Sequence, residues 1–199
     1  MTAFERYHRD EAWTWEHMSL TRLRAVAGDM ALGARAVTLA SALIHGGDPK
    51  MRTKDILDMR ARLYREKPAQ GPWDLKMQTG GLVDLEFIIQ HAILTSPHAL
   101  PHHAGLAKMI PALGEAGRLT QPETQTLVEA FAFLQSLQQV RRLALGEVPT
   151  QFSSIGLQDR YCRAVGSDDF TQLEQRLEGI CESVAALFCT KIGEPATES

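Results

Sequence analysis

Apolar residues recur along this chain at helical spacing and almost nowhere in strict alternation, so the pattern predicts helices from end to end. From Ala3 to about Arg24 the positions Phe4, Tyr7, Ala12, Trp15, Met18, Leu20 and Leu23 fit one helix uninterrupted by proline. Gly28-Asp29 breaks it, and Asp29 is a candidate N-cap for an alanine-rich helix over Met30–Ile44 that stops at Gly46-Gly47 and reads as core. Pro49 suits the first turn of a third helix, carried by Ile56, Leu57, Met59 and Leu63 until Pro68. After Gly80-Gly81, an apolar stripe of Leu82, Leu85, Ile89, Ala92 and Ile93 predicts a fourth, ending at Ser96-Pro97.

A short helix over 104–116 should end at Gly117, and Thr120-Gln121-Pro122-Glu123 is a capping box, in which Thr120 and Glu123 satisfy each other's orphan amides. The helix it opens can run to about Leu145, burying Leu127, Phe131, Leu134, Leu137 and Leu143, before Gly146 and Pro149 end it. Another lies around Leu157–Val165 and stops at Gly166. Ser167 or Asp168 then caps a final helix whose Phe170, Leu173, Leu177, Ile180, Val184, Leu187 and Phe188 form a heptad-like seam. The fold class is all-α, a helical bundle of about seven to eight helices with one long loop at residues 68–81. That loop holds two prolines, three glycines, Trp73 and Asp74. Irregular segments of this length are uncommon inside domains and are often functional or tied down by their own side chains.

Composition narrows the class. The 199 residues are 44% hydrophobic and 23% charged, which excludes disorder over most of the chain, leaving 193–199 as a flexible tail. No apolar run reaches the roughly 18 residues of a membrane span, and Glu5, Arg6, Arg9 and Asp10 stand where a secretory signal would be apolar, so a cytoplasmic location is expected. Cys181 and Cys189 should share a helix about 12 Å apart, too far to bridge, and Cys162 lies elsewhere, which predicts reduced thiols. A net charge of −3 gives no support for nucleic acid as a partner. The local exception, Lys50 to Lys67, is net positive, and its charges go round more than one helical face, as on a solvated helix.

No motif makes an active site by itself. The chain has no P-loop, no Gly-x-Ser-x-Gly elbow and no cysteine pair at zinc spacing. Gly166-Ser167-Asp168-Asp169 has the look of a nucleotidyltransferase signature but reads as a helix cap, for want of a carboxylate pair on a following strand. His98, His102 and His103 lack a neighbouring cysteine or carboxylate and sit between prolines, so no metal site is expected of them.

The segment Gly80-Gly81-Leu82-Val83-Asp84-Leu85-Glu86-Phe87 carries more. A glycine pair entering a helix could open backbone amides to an anion, with Lys76 upstream to assist. Alternatively Asp84 and Glu86 offset the helix dipole and hold arginines such as Arg22 or Arg24, pinning the loop. In Trp13-Thr14-Trp15-Glu16-His17 the tryptophans are expected to bury, with Glu16 and His17 as polar partners at the helix edge.

In their order and separation, these two segments resemble the bifunctional glutamine synthetase adenylyltransferase/deadenylylase family. The carrying residues are 13–22, Arg24 and Val26-Ala27-Gly28-Asp29, then Asp74-Leu75-Lys76, residues 80–87 and Gln90. The resemblance covers essentially the whole chain and weakens after Gly117. It implies a helical domain related to that of the PII uridylyltransferases, placed after a nucleotidyltransferase domain, and Val83-Asp84 looks like the adenylylating half. On that reading residues 1–29 join or pack on the nucleotidyltransferase domain, 30–192 form the bundle, and no catalytic residue lies in the chain. The ATP and magnesium implied for the whole enzyme belong to an Asp-x-Asp sheet absent here. The implied ligand or interdomain contacts are Lys76, Gly80, Gly81, Asp84, Glu86, Gln90, Glu16, His17, Arg22 and Arg24. The implied partners are the nucleotidyltransferase domain, glutamine synthetase and a PII signalling protein. Met77-Gln78-Thr79 departs from the family's basic residue followed by Gly-Pro. A free-standing binding module and the deadenylylating half are the alternatives.

Overall fold

The computed structural model describes residues 2–45, 47–100, 105–144, 152 and 154–194. Regular structure among them is entirely helical: α1 (Thr2–Asp10), α2 (Thr14–Leu20), α3 (Met30–Ile44), α4 (Pro49–Glu66), α5 (Leu82–Leu94), α6 (Leu106–Glu115), α7 (Gln121–Ala144), α8 (Ile155–Val165) and α9 (Phe170–Lys191). The count exceeds the expected seven to eight because the first predicted helix is two. Glu16 makes the break: its carboxylate accepts from the Trp13 backbone N–H at 2.9 Å and from the Tyr7 hydroxyl at 2.5 Å, which starts α2 afresh.

Other boundaries follow the local chemistry. Asp29 caps α3 by accepting from the Ala31 and Leu32 amides. Thr120 and Glu123 exchange side-chain and backbone bonds at the start of α7, and Glu123 also meets Lys191 at 2.7 Å, tying that start to the end of α9. The cap of α9 is Asp169, one residue beyond the expected positions. The three cysteines are free. Gly46, His102, His103, Leu145, Gly146, Pro149 and residues 195–199 of the expected tail lie outside the described residues.

The expected stripe of α5 is in fact a nearly complete jacket. Eleven of its thirteen residues are buried, and it packs on α2, α4, α6, α7 and α9. One core cluster surrounds it, running from Met18 and Leu20 of α2 through Ile110 and Leu127 to Phe188. A second gathers Trp73, Leu75 and Leu82 with Leu134 and Leu137 of α7, Tyr161 of α8 and Leu173 of α9. The indole of Trp73 is its centre, stacked on Phe170 at 5.4 Å and edge-on to Tyr161 at 5.5 Å.

Expectations about burial are overturned in α3, α7 and α4. The α3 helix is not core throughout: it touches only α1 and α2 among the closer packings, and of its residues only Ala40, Leu43 and Ile44 are buried. Leu143 is 88% exposed, in the last turn of α7. The α4 helix is not simply solvated, because Arg52, Ile56 and Arg60, spaced four apart, form its buried face. The Arg52 guanidinium donates to the carbonyls of Ile44, Leu43 (3.2 Å) and Leu94 (2.7 Å), capping the C-terminal ends of α3 and α5 together. Those carbonyls have no helical partner and carry the negative end of the dipole, so a buried cation is satisfied there.

Candidate functional site

The 68–81 loop is tied down by its own side chains. Asp74 accepts from the Gln70 and Met77 amides at 3.3 and 3.1 Å, and Trp73 and Leu75 plug the second core cluster. Its carbonyls then receive the first turn of α5: Gly81 N–H donates to Gln78, Leu82 to Leu75 and Val83 to Lys76, at 2.8 to 3.1 Å. Gly80 N–H donates to the Asp84 carboxylate at 2.6 Å. The amides that a phosphate would need at this helix start are therefore already bonded within the chain.

The glycine pair serves close packing instead. Gly80 has φ +75°, and a Cβ there would overlap the backbone carbonyl of Cys181 on α9. Any Cβ on Gly81 would press on the carbonyls of Leu75, Gln78 and Lys76.

Asp84 is held by an arginine other than those expected. It forms a buried ion pair with Arg60 of α4, and its second oxygen accepts from Gly80 and, at 3.4 Å, from the Tyr64 hydroxyl. Arg60 lies over the Tyr64 ring at 3.3 Å and donates to the Met77 carbonyl. Burial raises the Tyr64 hydroxyl pKa, so that group stays a donor at neutral pH. The sequence reading missed Arg60 because charge alone assigned it to solvent; its position four residues after Ile56 was the available signal.

Glu86 does pair with Arg22, at 3.3 Å and partly exposed, whereas no ion pair joins Arg24 to either carboxylate among the described residues. Beside that pair lies a cleft of about 560 Å³ between the ends of α2, α4 and α7, the loop and α5. Lys67, Lys76 and Arg142 line it with Arg22 and Glu86, together with the apolar side chains of Leu63, Met77, Phe87 and Phe131. The fold thus brings together Arg22, Lys76 and Glu86. Gly80, Gly81 and Asp84 form the buried pin beside it. Gln90 is buried on another face of α5, where its amide donates to the Met18 carbonyl of α2 at 3.4 Å.

Glu16 and His17 stand apart from the cleft. His17 Nε2 contacts the His8 carbonyl oxygen at 2.8 Å, and burial lowers its pKa. The Tyr7 hydrogen bond leads the influences lowering the Glu16 pKa. The tryptophans beside them are not buried: Trp13 is 72% and Trp15 49% exposed. They line a shallow groove with Asp55, Asp58 and Met59 of α4, where the Thr14 hydroxyl donates to Asp55. Among the described residues no three His, Cys, Asp or Glu side chains come together as a metal ion would require.

A family model described as glutamate-ammonia ligase adenylyltransferase matches residues 1–38, and one described as GlnD PII-uridylyltransferase matches residues 53–191. Bifunctional glutamine synthetase adenylyltransferase/adenylyl-removing enzymes are similar over nearly the whole chain. The protein of Rhizobium meliloti (strain 1021) is 36% identical over 194 residues, covering 94% of this chain and 20% of the relative. That of Mesorhizobium japonicum is 38% identical over 191 residues, 92% of this chain and 19% of the relative. That of Brucella suis is 35% identical over 202 residues, 98% and 20% respectively. The chain belongs to the bifunctional glutamine synthetase adenylyltransferase family. It spans about a fifth of the length of the curated relatives it matches. Within this family member the adenylyltransferase match takes in α1, α2 and the first part of α3, including both exposed tryptophans. The uridylyltransferase match takes in most of α4 and all of α5 to α8, and ends with α9. The described residues contain no helix long and apolar enough to cross a membrane.

Proposed function

We propose that this chain is the helical domain of a cytoplasmic enzyme that adds AMP from ATP to glutamine synthetase. Its role is to scaffold the nucleotidyltransferase domain and to present surfaces to glutamine synthetase or a PII signalling protein; the ATP and magnesium act elsewhere in the whole enzyme. The observation that carries the reading is the Trp13–Trp15 face. Two exposed indoles, Trp13 at the N-cap of α2 and Trp15 in its first turn, lining one groove beside α4, are costly to leave in water and are typical of interface centres. They lie on the stretch matched by the adenylyltransferase family model, which supports the nucleotidyltransferase domain as what covers them.

The test replaces the matching stretch of the Rhizobium meliloti relative with this chain and measures AMP incorporation into glutamine synthetase. The chimera should transfer AMP, while the isolated chain with ATP and magnesium should transfer none. Trp13→Ala with Trp15→Ala should lower transfer about tenfold or more, as loss of an interface anchor does, and leave the melting of the isolated chain nearly unchanged. Full activity in the double variant would overturn the docking role. Assaying AMP removal on the same chimera distinguishes the adenylylating from the deadenylylating half, a distinction for which Val83-Asp84 favours the former.

A further inference from the structure

We infer that the cleft bounded by Lys67, Lys76 and Arg142 binds a small organic polyanion with an apolar body, the build of a nucleoside polyphosphate. At about 560 Å³ it falls in the size range of small-molecule sites, and like many of them it lies between the helices of a bundle. Arg22 is matched by Glu86, whereas Lys67, Lys76 and Arg142 have no ion-pair partner among the described residues. Three unmatched cations around one concavity, in a chain of net charge −3, concentrate positive potential at a single place.

Lys67 and Arg142 stand at the C-terminal ends of α4 and α7, where cations also offset the helix dipoles. Lys76 has no such duty. Its carbonyl is fixed by the Val83 amide while its exposed ammonium lines the cleft. Phe87, Phe131, Leu63 and Met77 supply the apolar part of the lining, against which a base or similar flat body would lie, and the cations of the same cleft would take its charged end. The volume and the mixed lining, apolar side chains next to cations, favour a small molecule with an apolar body over an acidic protein segment. The inference does not depend on the scaffold role, because binding is read on this chain alone, with no nucleotidyltransferase domain and no glutamine synthetase present.

Calorimetric titration of the chain with ADP, without magnesium, tests it. Saturable binding is expected, weakened by added salt, and at least about tenfold tighter than that of pyrophosphate because the apolar body contributes. Lys76→Gln with Arg142→Gln should weaken ADP binding by about tenfold or more while the melting temperature stays within a degree or two of the parent. Lys67→Gln, made separately, should weaken it as well. Absence of saturable ADP binding at millimolar concentration would overturn the inference, as would equal affinity for ADP and pyrophosphate. So would unchanged affinity in the charge variants, or a hexaglutamate peptide that binds where ADP does not.

Discussion

At the scale of single residues, Asp84 and Lys76 differ in burial although both were candidates of one motif. Asp84 is almost wholly buried against Arg60 and accepts from Gly80, so Asp84→Ala would leave a guanidinium buried without its counter-charge. Breaking such a pair costs about 3–5 kcal/mol, to be read by denaturant unfolding of the isolated chain. Lys76→Ala removes an exposed side chain and should shift stability by no more than about 0.5 kcal/mol. The motif was visible in the sequence; the partner was not, because Arg60 lies 24 residues away and its charge argued for solvent. The tryptophans erred in the other direction. Size and apolarity argued for burial, but α2 has only seven residues and turns Met18 and Leu20 inward, leaving Trp13 and Trp15 outside.

At the scale of elements, signals carried by neighbouring residues were readable: the Asp29 cap, the Thr120–Glu123 box, Pro49 at the start of α4 and the left-handed Gly166 that ends α8. Each works within one helical turn and needs no tertiary partner. The division of α1 from α2 was not readable, since it rests on Tyr7 reaching Glu16 across the break. The loop of residues 68–81 was expected to be either functional or tied down by its own side chains, and the reason for its glycines was not readable, because Cys181 lies far downstream in the chain. Gly80→Ala should therefore destabilise the chain by about 3 kcal/mol, from the left-handed backbone and the overlap with the α9 carbonyl together, measured as a loss of melting temperature.

At the scale of the whole molecule, the all-helical architecture followed from periodicity, whereas the arrangement around α5 did not, since a helix apolar on every side gives no direction for its neighbours. One global property follows from burial at its edge. His91 is held down to about 4 from an ordinary 6.5, first by desolvation and then by Arg118 and Lys191. The folded chain keeps this imidazole neutral while the unfolded chain takes up a proton, so its contribution to stability is complete above pH 6.5 and declines as pH falls towards 4. Between pH 7.5 and 5 the loss should reach about 2 kcal/mol, and His91→Gln should remove that part of the slope in unfolding curves.

The unequal fates of the three indoles also give the molecule an optical signature. Trp73 is 4% exposed inside an aromatic nest, and Trp13 and Trp15 face water. Their emission should therefore separate into a shielded blue component and an accessible red one. A collisional quencher such as acrylamide should extinguish only the latter while the second core cluster is intact. Docking another protein on the outer pair would protect the red component, and loosening the inner nest would surrender the blue one, so a single spectrum can tell assembly from melting.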